Sequence, residues 1–212
     1  MNRTVYLFFN YSARENYPAH DYWSNWSNPD TTKLAIFVEH SWAKRGWEVK
    51  RLSTVGIKGF EFTGKCVESL KLYPYDFWNF WFAAMKVCQD RGPTLFSTID
   101  VLNNGFYPTD ACYPIDKYEG SHIVSYRHNF SAATVFLDSL SCDHAITRIR
   151  EYDRYESFKK LESDLVSDET ILRAYGRIKC ADRMSYALIE PDKDLIHCPR
   201  SVLKNYRAPD NL

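Results

Sequence analysis

The chain opens on Thr4-Val-Tyr-Leu-Phe-Phe9, an unbroken β-branched and aromatic run that predicts a short buried first strand. Residues 10–29 are polar and aromatic with turn residues, and read as a long ordered loop. Loops longer than about a dozen residues inside a compact domain are usually functional or disordered, and the Trp and Tyr content here argues against disorder. A helix is predicted from Asp30-Thr31, because Leu34, Phe37, Val38, Ser41, Trp42 and Arg45 follow a helical period. Gly46 supplies the stop after Lys44-Arg45. Trp47-Glu-Val-Lys-Arg-Leu52 then alternates as a half-buried strand does. Strand, helix and strand make one βαβ unit.

Residues 53–72 contain glycine and carry only a weak pattern. A second helix is predicted over residues 76–91, with Phe77, Trp81, Ala84, Met85 and Cys88 as its buried stripe and Gly92 closing it. Thr94-Leu-Phe-Ser-Thr-Ile-Asp100 follows as a central strand, broken by Asn103-Asn104-Gly105. Beyond Gly105 the pattern fragments. Residues 122–126 and 132–137 read as strands of a smaller mixed sheet. Residues 143–161 read as a charged helix with Ala145, Ile146, Ile149 and Tyr152 on one face. Ser167 is a good N-cap for a last short helix, whose Asp168 and Glu169 suit the positive end of its dipole. Residues 184–189 and 195–198 are strand-like. The expectation is a single α/β domain over residues 1–212: a mostly parallel sheet flanked by helices, with a smaller mixed C-terminal sheet.

Asp100 is the most informative residue in this layout. A carboxylate at the end of a central strand is costly to bury unless something pairs with it. In open α/β sheets the crevice beyond the strand ends is where ligands sit. Asp100 therefore either contacts a ligand or metal, or simply caps the following turn.

Composition narrows the remaining classes. The 27 basic and 27 acidic residues balance, so no global field argues for nucleic acid or an anionic membrane. Local basic clusters at residues 44–51 and 148–160 read as solvated helix faces. The second keeps nucleic acid as a weakly supported partner, because phosphate contacts need local charge. Cys66, Cys88, Cys112, Cys142, Cys180 and Cys198 form no C-x-x-C pair, which excludes a zinc ribbon or thioredoxin-type motif. No stretch has the length of a membrane span, and residues 5–9 are too short for a secretory h-region. Reduced thiols in a cytoplasmic compartment are the simplest expectation. The Asn-x-Ser/Thr sequons at Asn2, Asn10, Asn25 and Asn129 are then coincidental. Dinucleotide, Walker, nucleophile-elbow and H-E-x-x-H motifs are all missing. Cys142-Asp143-His144, and His122 with His128, lack the spacing of a metal site.

The order of elements around Asp100 resembles the GT-A-fold nucleotide-sugar glycosyltransferases. Residues 33–52, a helix with Trp42 near its end and then Gly46-Trp-Glu-Val49, look like one segment of that superfamily. Residues 75–103 resemble its next landmark, an aromatic helix before a strand that ends in Asp-x-Asp. Ser167-Asp168-Glu169 resembles an acidic helix start beside the acceptor, and Ile196-His197 a histidine near the C-terminal end. The likeness covers roughly two thirds of the chain in order.

That resemblance implies a small, diverged, Rossmann-related glycosyltransferase, viral or bacterial, with a nucleotide-binding half at about residues 1–103 and an acceptor-side half at about 104–212. Asp100 would match the second carboxylate of Asp-x-Asp, holding a Mn²⁺ or Mg²⁺ that bridges the donor diphosphate. Thr98 stands where the first Asp is expected; it offers a ribose a hydroxyl but brings no charge. His197 would be a later metal ligand. Asp168 would lie by the acceptor as base or clamp. Asn10, Tyr11 and Tyr17 would stack on or bond the nucleotide base.

Each assignment has a plainer counterpart: Thr98 as an ordinary strand residue, His197 as a core imidazole, Asp168 as a helix-dipole charge, Tyr11 and Tyr17 as loop packing. Partners implied are a nucleotide-diphosphate sugar and a glycan, lipid-linked, protein or modified-base acceptor. If the protein is viral, its compartment is the host cytoplasm. The alternative is a catalytically silent module of the same fold that binds a nucleotide or sugar.

Overall fold

The structure, a computed structural model, describes residues 3–8, 30–64, 66–70, 75–111, 121–126, 133–155, 166–177, 185–188 and 194–197. Its strands are β1 (Thr4–Phe8), β2 (Glu48–Leu52), β3 (Thr94–Thr98), β4 (Val101–Asn103), β5 (Ser121–Ser125), β6 (Thr134–Leu137), β7 (Ser185–Leu188) and β8 (Leu195–His197). Its helices are α1 (Asp30–Ala43), the single turn α2 (Cys66–Ser69), α3 (Tyr75–Trp78), α4 (Phe80–Arg91), α5 (Ser139–Tyr155) and α6 (Asp168–Arg177). Six strands form the main sheet in the order β2-β1-β3-β6-β5-β7, and β4 pairs with β8 in a separate two-stranded sheet. β1 runs parallel to both β2 and β3, β5 runs parallel to β7, and β6 is antiparallel to β3 and β5.

The central strands β1, β3 and β6 are buried at successive positions because both faces of the sheet are covered there, whereas β2 at the edge is buried only at Leu52. All five residues of β1 are buried. Val5 and Leu7 point to one face and join Leu95, Val124, Phe136, Val38 and Trp42 in one apolar cluster. Tyr6 and Phe8 point to the other, with Phe96, Ile123, Val135, Leu137, Phe80 and Trp81. Thus α1 covers one face and α4 covers the opposite one. The expected α1 stop is present, with Gly46 at φ +85°. The face of α5 formed by Ala145, Ile146, Ile149 and Tyr152 is buried as its period predicts.

Three details depart from the sequence expectation. The strands at residues 121–125 and 134–137 enter the main sheet rather than a smaller one, because β6 slots antiparallel between β3 and β5. The aromatic helix is interrupted at Asn79, whose Nδ2 donates to the Ile57 carbonyl at 3.1 Å instead of capping α4. α5 starts at Ser139, capped by Asp138, whose Oδ1 accepts from Ser141 N at 2.7 Å and Ser141 Oγ at 2.6 Å. The residues beyond Tyr155 that were expected to continue α5, 156–161, lie outside those described.

A buried carboxylate ties the weakly patterned segment to α5. Asp153 accepts backbone N–H bonds from Thr63 at 2.9 Å, Gly64 at 3.1 and 3.2 Å and Cys66 at 2.9 Å. Bonds to an ionised acceptor are about twice as strong as neutral ones. A Cβ at Gly64 would come within 1.8 Å of the Asp153 carbonyl oxygen, so the close approach requires glycine. Burial, reinforced by Asp153, pushes the Cys66 thiol far above its ordinary range.

Candidate functional site

The topology creates a crevice before any side chain is considered. After β1 the chain crosses by α1 to β2 on one side, then returns by α4 over the opposite face to β3 on the other side. The carboxyl ends of β1 and β3 therefore mark a topological switch point, where ligands bind in open α/β sheets. Phe8 and Thr98 are partners in register at that end. The sequence-predicted Asn10, Tyr11 and Tyr17 follow β1 but lie outside the described residues.

A hydroxyl-rich cluster closes the β3 end. The Ser97 and Thr134 hydroxyls lie 2.8 Å apart and both are buried. Ser97 Oγ also donates to the Ala133 carbonyl at 3.1 Å, and Thr98 N donates to the same oxygen at 2.8 Å. Thr98, the last residue of β3, donates its hydroxyl to Asp100 Oδ1. Asp100 occupies the two-residue turn between β3 and β4 and is half-buried. Thr98 and Asp100, the pair that the resemblance sets against Asp-x-Asp, are thus joined by a hydrogen bond.

The backbone after Asp100 is held by the first βαβ unit. Trp42 Nε1 donates to the Val101 carbonyl at 3.0 Å, and Trp47 Nε1 donates to the Phe106 carbonyl at 2.8 Å. Ser41 Oγ accepts from Asn103 N at 3.1 Å. Asn103 clasps its own turn, donating from Nδ2 to Phe106 O at 2.7 Å and accepting Phe106 N on Oδ1 at 2.8 Å. The helix-then-Gly-Trp segment singled out in the sequence is therefore the clamp on the strand that leaves Asp100. β8 runs antiparallel to β4 in a register that sets His197 opposite Val101, one residue beyond Asp100. Residues nearly a hundred positions apart in sequence are thereby neighbours in backbone. The His197 side chain is outside the described residues.

Asp168 sits on another element. It is the first residue of α6, and the cap before it is double: Ser167 N donates to Thr170 Oγ1 at 2.8 Å and Thr170 N to Ser167 Oγ at 3.2 Å. Asp168 Oδ2 accepts the Trp81 indole N–H at 2.8 Å, and Oδ1 accepts Glu169 N–H at 2.9 Å. Burial, and then the neighbouring Glu169 charge, push its carboxyl up to about 7, against the opposing pull of the indole bond. A run of contacts links it to the switch point: Trp81 meets Phe80 at 5.1 Å between ring centres, and Phe80 meets Phe8 at 5.3 Å.

Trp81 is the residue that sequence reading assigned only to the core. The signal for more was its indole N–H, which needs an acceptor once buried. The Cys142-Asp143-His144 stretch does not converge: Cys142 is buried, its thiol raised well above the ordinary range by burial and Cys88, whereas Asp143 faces solvent. Among the described residues, no group of three His, Cys, Asp or Glu side chains gathers as a metal site would. The basic helix is partly engaged, with Arg148 paired to Glu151 at 2.7 Å and Arg150 lying 5.4 Å from the Phe82 ring centre. No described helix is long and apolar enough to cross a membrane.

No family model matches the sequence, and no curated protein does. Two solved glycosyltransferases are similar in structure. One is a glycosyltransferase involved in the glycosylation of the major capsid of PBCV-1, with a TM-score of 0.44 at 7% identity, covering 89% of this chain and 82% of that one. The other is the apo-form glycosyltransferase GlyE of Streptococcus pneumoniae TIGR4, with a TM-score of 0.36 at 11% identity, covering 86% of this chain and 44% of that one. The likeness lies in the course of the backbone and says nothing of donor, acceptor or metal.

Proposed function

We propose that this protein is a glycosyltransferase that moves a sugar from a nucleotide-diphosphate donor to an acceptor hydroxyl at the β1/β3 switch point. The observation that carries the reading is the register of β4 with β8, which sets His197 across from Val101 beside the Asp100 turn. What supports the reading is that β8 ends at His197 opposite Val101, the residue next to Asp100, and that the resemblance nominates both Asp100 and His197 as metal ligands.

The donor set suits a hard divalent cation in one mode. Asp100 supplies a carboxylate and Thr98 a hydroxyl, both oxygen donors at the rim. Mg²⁺ keeps several waters and is commonly held by one or two carboxylates together with substrate phosphates, so three converging protein ligands are not required. Asp100 and His197 would hold Mn²⁺ or Mg²⁺, which when bound offsets charge on the departing diphosphate. In the transfer, the bond from the anomeric carbon to the diphosphate oxygen breaks and a bond to the acceptor oxygen forms. The acceptor proton passes to Asp168, whose carboxyl is poised to accept it near neutral pH. Asn10, Tyr11 and Tyr17 would line the nucleotide side. The acceptor is a glycan, a lipid-linked sugar, a protein or a modified base, and residues 104–212 form its side of the site. The described buried thiols Cys66, Cys88 and Cys142 are free, in line with a cytoplasmic setting.

A second reading, a silent nucleotide- or sugar-binding module, is favoured by Thr98, which replaces a carboxylate and donates to Asp100. A screen of nucleotide-diphosphate sugars with Mn²⁺ separates the two. Release of free nucleoside diphosphate, lost in Asp100→Ala, supports the transferase. Ligand-induced thermal stabilisation that needs no metal, with no release from any donor, supports the silent module.

A further inference from the structure

We infer that Trp81 is the positioning residue for the Asp168 carboxylate, fixing its orientation and setting its readiness to take a proton. The inference rests on the reading above only for the identity of the reaction. Trp81 is fully buried in the first turn of α4, edge-on to Phe80 at 5.1 Å. Its indole is thus held by the core, and its N–H reaches Asp168 Oδ2 at 2.8 Å from a rigid base. The second oxygen accepts Glu169 N–H at 2.9 Å, and the backbone N–H of Asp168 itself also bonds the carboxylate. A carboxylate offers about four acceptor sites, which leaves room for an incoming hydroxyl.

The charges around the pair act in opposite directions. Glu169, next on the same helix, disfavours ionisation of Asp168, as burial does; the Trp81 N–H favours it. α4 contributes Trp81, and α5 contributes Ile149 and the phenol-bearing Tyr152 to the apolar cluster that also holds Trp81 and the α6 residues Ile171 and Leu172. Loss of the indole donor would leave only the backbone N–H bonds to oppose burial and the Glu169 charge, and the carboxyl would hold its proton to higher pH.

The test has an arm that needs no activity. In a ¹⁵N–¹H spectrum of the whole protein, the Trp81 Nε1–H resonance, assigned by its absence in Trp81→Phe, should move with a midpoint near pH 7. It should stop moving in Asp168→Asn, which keeps an acceptor but no titrating proton. A resonance that stays fixed across pH 5–9 in the wild type overturns the inference. The second arm reads donor turnover against pH in Trp81→Phe and in a protein with isosteric benzothienylalanine at position 81, which removes only the N–H. The acid limb of kcat should move to higher pH in both, while KM for the donor changes little. A uniform loss with an unmoved limb in the isosteric variant makes Trp81 merely structural. If the wild type turns over no donor, the transferase reading fails while the resonance titration still decides the positioning claim.

Discussion

The Trp42 indole and the Val101 carbonyl, fifty-nine residues apart, are joined by a buried hydrogen bond of 3.0 Å. Val101 is the residue after Asp100, so the end of α1 fixes the strand on which the candidate site depends. Trp42 also meets Trp47 at 5.7 Å, and Trp47 stacks on Phe106 at 5.6 Å, so the clamp is one aromatic unit. Trp42→Phe removes the donor and orphans a buried carbonyl, which costs about 1–3 kcal/mol, and the smaller ring adds a packing loss. Urea denaturation should show a clear fall in midpoint, with the binding of a nucleoside diphosphate weakened in parallel.

Asp153 predicts a second, purely structural weak point. Its carboxylate serves the N–H groups of Thr63, Gly64 and Cys66. Asp153→Ala takes the acceptor from the buried Cys66 N–H and from the partly buried Thr63 and Gly64 N–H groups, and should destabilise the fold by about 2–4 kcal/mol in urea denaturation. Gly64→Ala should do the same by a different route, because its Cβ collides with the Asp153 carbonyl.

Asp168 predicts how stability depends on pH. Its carboxyl is raised from 3.8 to about 7 in the fold, so between these values the folded state binds more protons than the unfolded state. Stability from this group is complete below pH 4 and is lost as pH rises through 7, with a slope of at most about 1.4 kcal/mol per pH unit. Asp168→Asn abolishes that term. Relative to wild type the variant should gain stability progressively from about pH 4 to pH 7 and level off above that, read as urea midpoints that diverge and then run parallel.

Thr98→Asp restores a second carboxylate beside Asp100. Two like charges at this spacing repel, so the metal-free variant should melt below wild type. Mn²⁺ should reverse the order, since a ligand at a hundredfold excess over its Kd adds about 2.7 kcal/mol to the folded state. Differential scanning fluorimetry with and without Mn²⁺ reads both arms.

Much of this architecture was legible because local patterns agreed with global packing. The α5 face, the Gly46 stop and the Ser167 cap each follow from rules confined to one turn of chain. What remained hidden is non-local. The insertion of β6 between β3 and β5 has no signature within residues 134–137, where both faces are apolar. Asp153 looks like any charge on a basic helix until Thr63, Gly64 and Cys66 arrive against it. The break at Asn79 has no glycine or proline to announce it; a carbonyl from Ile57 draws the side chain away. Trp81 fits an aromatic stripe so well that its polar edge was invisible.

The central claim is that the Asp100 rim binds a nucleoside diphosphate through a divalent cation. Calorimetric titration of UDP and GDP into the wild-type protein, with Mn²⁺ and then with EDTA, tests it most directly, with Asp100→Ala and His197→Ala as partners. Saturable binding of at least one nucleotide is expected, dependent on Mn²⁺ and weakened at least tenfold in each variant. Binding of equal strength in EDTA, or unchanged in Asp100→Ala, would contradict it.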